Sequence, residues 1–132
     1  MKNNAKIDKE KAISLREMAQ ITLERLNSLD KLKYPSNTLN DYYDILHKLM
    51  ESYSSLEGIK FNGDNAHKEL IDYICQELFN SQDKTFLQEL RQFRNQIAYE
   101  GFNIDKNYLE RNIKKIEGYI SILINNIKII LK

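Results

Sequence analysis

The sequence predicts an all-α fold, an antiparallel up-and-down bundle of four to five helices, on three observations. Apolar residues recur at alternating three and four spacings through most of the chain. No stretch shows sustained period-two alternation, the mark of a half-buried strand. One proline and four glycines among 132 residues leave few places for the backbone to break. Those places are informative. Pro35 stands in "YPSNT", Gly58 and Gly63 in "EGIKFNGDN" and Gly101 in "EGFNID", each a loop between periodic segments, whereas Gly118 lies inside a strong helical pattern.

The first periodic segment, about Asp8 to Leu32, places Leu15, Met18, Ala19, Thr22, Leu26 and Leu29 on one face; residues 1–7 before it are expected to form a flexible end. The second, opened by Thr38 as N-cap, aligns Leu39, Tyr42, Tyr43, Leu46, Leu49, Met50 and Tyr53, a stripe that is hard to produce in a strand. The third follows a cap at Asp64 or Asn65 and aligns His67, Leu70, Ile71, Ile74 and Leu78. The fourth, about Asp83 to Glu100, aligns Phe86, Leu90, Phe93 and Ile97. The last repeats Leu109, Ile113, Ile116, Ile120, Leu123, Ile127 and Ile130 at strict four-three spacing, a seam suited to near-parallel packing in a bundle.

A chain of 132 residues with 42% hydrophobic content suits one domain, 1–132, with a core of its own. Twenty basic against nineteen acidic side chains give a formal +1, so no global field draws it to nucleic acid or anionic lipid, and any such binding must come from a local patch. The single Cys75 has no partner for a disulfide or for a Cys-based zinc site and reads as a small buried apolar residue in a reducing cytosol. Charges in "MKNNAKIDKEKAISL" stand where a secretory signal needs its apolar run. "YISILINNIKIILK" is interrupted by Asn125 and Asn126 and is shorter than the roughly twenty residues of a membrane helix. A cytoplasmic protein without membrane association is expected.

The stretch "LRQFRNQIAYEGF" is the most distinctive. Opposite the apolar side of the fourth segment fall Gln88, Gln92, Asn95 and Tyr99, with Arg91 and Arg94 flanking the stripe, where their stems can lie on apolar surface. An amide ladder ending in a phenol and bordered by two cations, with no acid before Glu100, points to an interface or site rather than to plain solvated surface. Charge is also uneven. Lys106 to Lys132 carries six basic and two acidic residues, against four acidic and one basic in Thr38 to Glu57, which predicts a basic rim of Arg91, Arg94, Arg111, Lys114 and Lys115.

A glycine-containing loop leading to His67 in "GIKFNGDNAHKELI", followed by a helix carrying Arg94-Asn95 with a marked residue near its end, resembles HEPN domains in helix order from about Ala12 to Ile130. That family's signature is an arginine, often followed by asparagine or another polar residue, with a histidine four to six residues on. Arg94-Asn95 matches the first half, and Tyr99 stands where the histidine would be. The resemblance implies a homodimer that brings two such helices together. In active members the Arg-His pairs form a metal-independent ribonuclease cleft, many of them toxins encoded beside a minimal nucleotidyltransferase that neutralises them; other members only bind partners.

A general base for a ribose 2′-hydroxyl needs a pKa near the working pH, which an imidazole offers and a phenol, at about 10, does not. A phenol and a guanidinium can still hold a phosphate. The expectation is therefore a binding or regulatory protein that engages RNA or a nucleotide through Arg91, Gln92, Arg94, Tyr99 and Arg111, with a small nucleotidyltransferase as partner in a toxin–antitoxin type pair. One alternative is an endoribonuclease in which Arg94 and Asn95 organise the scissile phosphate and Tyr99 or a histidine replaces the missing base. Another is a helical scaffold that binds only protein. His67, on its helix's apolar face, reads as a core or cap residue, and His47 as a surface one. Asp41, Asp44 and His47 have ligand spacing, but Asp-x-x-Asp at a helix start is an ordinary dipole arrangement, so neither metal nor cofactor is expected.

Overall fold

The computed structural model describes all 132 residues as an all-α helical bundle with a minimal two-stranded sheet. The elements are β1 (Lys2–Asn4), α1 (Lys9–Asn27), α2 (Pro35–Leu56), β2 (Ile59–Phe61), α3 (Ala66–Leu78), α4 (Ser81–Glu100) and α5 (Lys106–Leu131). No helix is long and apolar enough to cross a membrane.

Helix α2 is the axis of the bundle and packs against α1, α3, α4 and α5. Every member of its expected stripe is buried, and Ile45, Ser52, Ser54 and Leu56 join them, so this helix is covered on more than one face. It begins earlier than expected. Pro35 occupies the first turn, where its missing N–H costs nothing. Thr38 is consequently inside the helix and not its cap; its hydroxyl donates to the Lys31 carbonyl at 2.6 Å and closes the α1–α2 connection.

Helix α1 lies on α2 through Ala12, Ala19 and Leu26, all 1% exposed or less. Two of these side chains are small, which lets the helices approach, and the Ser52 hydroxyl reaches across the seam to donate to the Ala12 carbonyl at 2.7 Å. The seam is thus set by residues seven apart, and Met18 and Leu29, expected inward, point to solvent. The helix also stops at Asn27, where the Ser28 hydroxyl donates to the Arg25 carbonyl, and the chain continues to Lys33 in turns.

The first residues are not a loose end. Lys2–Asn4 pairs antiparallel with Ile59–Phe61, Lys2 opposite Phe61 and Asn4 opposite Ile59. The pairing is extended by Ala5 N–H donating to the Gly58 carbonyl at 2.8 Å and Asn62 N–H to the Met1 carbonyl at 3.0 Å. Gly58 has φ 71°, and a side chain there would meet the Ala5 carbonyl oxygen at 3.0 Å, so both its conformation and its neighbour require glycine.

Helix α3 starts after Asn65, one of the two expected caps. Helix α4 starts at Ser81, two residues before Asp83, because Asn80 and Asp83 form a reciprocal capping box, and it ends at Gly101 with φ 67°. Phe86, Leu87 and Leu90 are its buried residues; Phe93 and Ile97 are half-buried, with the Phe93 ring 4.9 Å from Tyr108 and 5.9 Å from Phe102. On α5, Leu109, Ile116, Ile120, Leu123 and Ile127 are buried as expected. Ile113 is half-buried, and the seam ends before Ile130, which is 38% exposed. Two buried phenols fasten α5: Tyr42 donates to Glu117 at 3.0 Å and Tyr119 to Asp83 at 2.7 Å.

Candidate functional site

Helix α2 carries Tyr43, His47 and Glu51 at four-residue spacing, hence on one face. The first turn of α3 brings His67 against this face, and α4 lays Arg91 and Arg94 beside it. The imidazole centroids of His47 and His67 are 3.9 Å apart with planes 33° apart. Tyr43 also neighbours His47, with ring centroids 6.2 Å apart and planes 20° apart. The Arg94 guanidinium lies over the Tyr43 ring at 5.9 Å, within reach of a cation–π attraction. Glu51 holds His47 Nδ1 at 3.0 Å. The result is a continuous Arg94–Tyr43–His47–His67 column with a carboxylate at its side.

Each member perturbs the next. The hydrogen bond from His47 holds the Glu51 carboxyl below its ordinary value against the opposing effect of its own burial. His67 has the reverse problem. Loss of water around its covered ring, followed by the nearness of His47 and Arg94, lowers its pKa, so that it favours the neutral, proton-accepting form. Burial pushes the Tyr43 phenol up to about 12 although Arg91 and Arg94 pull it down. Its hydroxyl is buried and makes no hydrogen bond. Neither Arg91 nor Arg94 is paired with a carboxylate. Arg91 Nε donates instead to Gln88 Oε1 at 2.8 Å, and Gln88 in turn donates to the Lys68 carbonyl and to Asp72 on α3, both at 2.9 Å. That bridge orients α4 on α3 and leaves both guanidinium forks with free donors.

The residues named from sequence divide into two groups. Arg91 and Arg94 converge on the column, and half-buried Asn95 accepts a long contact of 3.5 Å from Arg94. Gln92 is exposed, and Gln88 belongs to the α3 bridge, so the amide row is not one surface. Tyr99 is 78% exposed; five residues after Arg94, it stands about 140° away around the helix, and within one chain the two do not meet. Arg111 is exposed on α5 near Tyr108, which donates to Glu89, while Lys115 covers the Phe86 ring at 4.2 Å. The basic rim is therefore split between two sides of α4.

The histidines exchange their expected places. His47 is half-buried at the centre of the column, and His67 is exposed at its end with one ring face covered. The spacing Tyr43–His47–Glu51 was available in the sequence as an i, i+4, i+8 row; the junction with His67, twenty residues on, was not. Asp41, Asp44 and His47 do not converge, because Asp41 pairs with Arg25 at 3.3 Å, Asp44 with Lys48 at 2.7 Å, and His47 with Glu51. Cys75 is buried, and its thiol is pushed up to about 12, chiefly by that burial. No protein-family model, curated protein or solved structure matches the chain.

Proposed function

We propose that the chain is a cytosolic, HEPN-like binding or regulatory protein that engages a phosphate-bearing ligand, RNA or a nucleotide, through Arg91 and Arg94, as a homodimer and as the partner of a small nucleotidyltransferase. The partner and the pairing rest on the resemblance of the helix order and of Arg94-Asn95. The ligand chemistry rests on one observation: two guanidiniums without carboxylate partners stand beside two imidazoles. Guanidinium forks match phosphate oxygens. Fluorescence anisotropy with a short single-stranded RNA tests this. Arg94→Ala should weaken binding by about tenfold, the scale of one charge-assisted hydrogen bond, while its circular dichroism stays that of wild type. RNA binding that is absent, or that Arg94→Ala leaves unchanged, overturns the assignment.

A second reading, the endoribonuclease, draws support from His67. Its imidazole is electrostatically coupled to Arg94 and favours the neutral form, so it can take the proton of a ribose 2′-hydroxyl where Tyr99, remote from Arg94, cannot. In this reading His67→Gln abolishes cleavage of RNA while leaving RNA binding intact. Intact RNA after prolonged incubation with wild type leaves the binding role alone.

A further inference from the structure

The loop 62–65 between β2 and α3 contains the sole Asn-Gly step of the chain, Asn62-Gly63, and both residues are exposed. Neither group that can react there is held. The Gly63 N–H donates to no acceptor, and the Asn62 side-chain amide makes no hydrogen bond. Gly63, at φ 94°, has no Cβ to shield its nitrogen, and nothing lies within 4 Å of where one would stand. Elsewhere an asparagine precedes another small residue, alanine or serine, at Asn4, Asn27, Asn65 and Asn80, and each of these is held. Ala5 N–H donates to the Gly58 carbonyl at 2.8 Å, Ser28 N–H to that of Arg25 at 3.1 Å and Ala66 N–H to that of Gly63 at 3.2 Å, while the Asn80 side chain accepts from Asp83 N–H at 2.9 Å.

We propose that Asn62-Gly63 is a site of spontaneous self-modification, deamidation to isoaspartate, which loosens the small sheet and resets the entry into α3. Asparagine is among the chemically labile side chains. The Gly63 amide gives up its proton and its nitrogen attacks Cγ of Asn62; the new C–N bond closes a cyclic succinimide, and the carboxamide nitrogen leaves with that proton as ammonia. Water then opens the ring. Addition at the Cγ carbonyl gives aspartate, whereas addition at the main-chain carbonyl leaves the chain running through Cβ and Cγ, with the α-carboxylate free. An N–H that already donates keeps its proton and its direction, which sets the held asparagines apart from Asn62. Isoaspartate adds one carbon to the main chain, and a negative charge, where both flanks are fixed. On one flank Asn62 N–H donates to the Met1 carbonyl at 3.0 Å, the outermost rung of a three-residue ladder. On the other, the first turn of α3 sets the His67 ring 3.9 Å from that of His47. The site is separate from Arg91 and Arg94 and stands whether or not a phosphate binds there.

Incubation of the folded full chain at mildly alkaline pH, followed by peptide mass spectrometry that separates aspartate from isoaspartate, tests the site. Asn62 should convert about tenfold faster or more than Asn4, Asn27, Asn65 or Asn80 in the same sample, and at no less than about a tenth of its rate in the chain unfolded in urea. Asn62→Gln, whose longer side chain must close a larger ring, should stay intact over the same period and keep the wild-type circular dichroism. Hydrogen exchange reads the structural consequence. In the isoaspartyl form the Ala5 N–H should exchange about tenfold faster than in fresh protein, while the amides of α2 keep their protection. Asn62→Asp supplies the charge without the added carbon and should exchange like fresh protein. Survival of Asn62 in the folded chain while the urea-unfolded chain reacts, or earlier reaction of a held asparagine, overturns the site. Unchanged Ala5 exchange in the isoaspartyl form, or the same acceleration in Asn62→Asp, overturns its action through the main chain.

Discussion

At the scale of single residues, the histidine column couples protonation to folding. Because the folded-state pKa of His67 is lowered from 6.5, the unfolded chain binds that proton more readily. The stability tied to neutral His67 is therefore fully present above 6.5 and declines as pH falls from there toward the lowered value. Glu51 acts in a second window: its folded pKa is lowered from 4.5, so its contribution is present above 4.5 and is lost below it. The melting temperature should fall in two stages on acidification, the first modest because His67 is exposed to solvent screening. Thermal scans at closely spaced pH check this, and His67→Gln should remove the first stage alone. A variant that retains the first stage would place its origin elsewhere. The same column shows why the site was only partly legible in the sequence. Arg91 and Arg94 announced themselves by flanking an apolar stripe without acidic neighbours. The partner they meet is long-range, and spacing along one helix carries no information about which turn of α3 arrives at His47.

At the scale of elements, Asp83 performs two tasks at one helix start. Its carboxylate accepts from the Asn80 N–H at 3.3 Å to complete the capping box, and its other oxygen accepts from Tyr119 on α5 at 2.7 Å. Burial, and then the adjacent Asp83 charge, keeps the Tyr119 phenol protonated and donating. Asp83→Ala should therefore cost more than an ordinary cap, about 2–3 kcal/mol against about 1 kcal/mol for Asn80→Ala. Tyr119→Phe in the Asp83→Ala background should cost less than in wild type, and urea denaturation of the four proteins measures that coupling. Equal costs in both backgrounds would mean that the α4–α5 bond contributes nothing. Helices α2 and α5 were the most legible elements, because seven-residue apolar repeats over five turns or more specify a buried face without help from neighbours. Helix α1 was legible in position and in Ala19 and Leu26, but its stripe was turned toward Met18 and Leu29 and away from Ala12, since an alanine weighs little by hydrophobicity although small residues are what a close crossing needs. The sheet left no trace, because three-residue strands are too short to display a period of two and are held by β1–β2 pairing across nearly sixty residues of sequence.

At the scale of the whole molecule, the single chain leaves apolar surface uncovered on the last turns of α5 and, at the opposite end of the antiparallel α4–α5 pair, around Tyr99 and Phe102. Ile122, Ile129 and Ile130 on α5 are 43%, 61% and 38% exposed, while Tyr99 and Phe102 at the close of α4 are 78% and 40% exposed. Isolated exposed apolar residues are ordinary, but several along one terminal helix are the kind of surface that self-association removes. A two-fold pairing also answers the displacement of Tyr99 from Arg94, for a residue that does not reach its own chain's arginine can stand near a second chain's. The proposed homodimer accordingly predicts a sedimentation or light-scattering mass of twice 15.7 kDa at micromolar concentration. Ile122→Asp and Ile129→Asp lie on exposed positions and should shift the protein to monomer with little loss of helix. By contrast, Ile120→Asp, at a site 2% exposed, would bury an unpaired carboxylate and should unfold the bundle by several kcal/mol, about 3 or more. If wild type is monomeric across the micromolar range, Tyr99 has no second chain to meet, and phosphate binding must rest on Arg91, Arg94 and the histidine column of a single bundle.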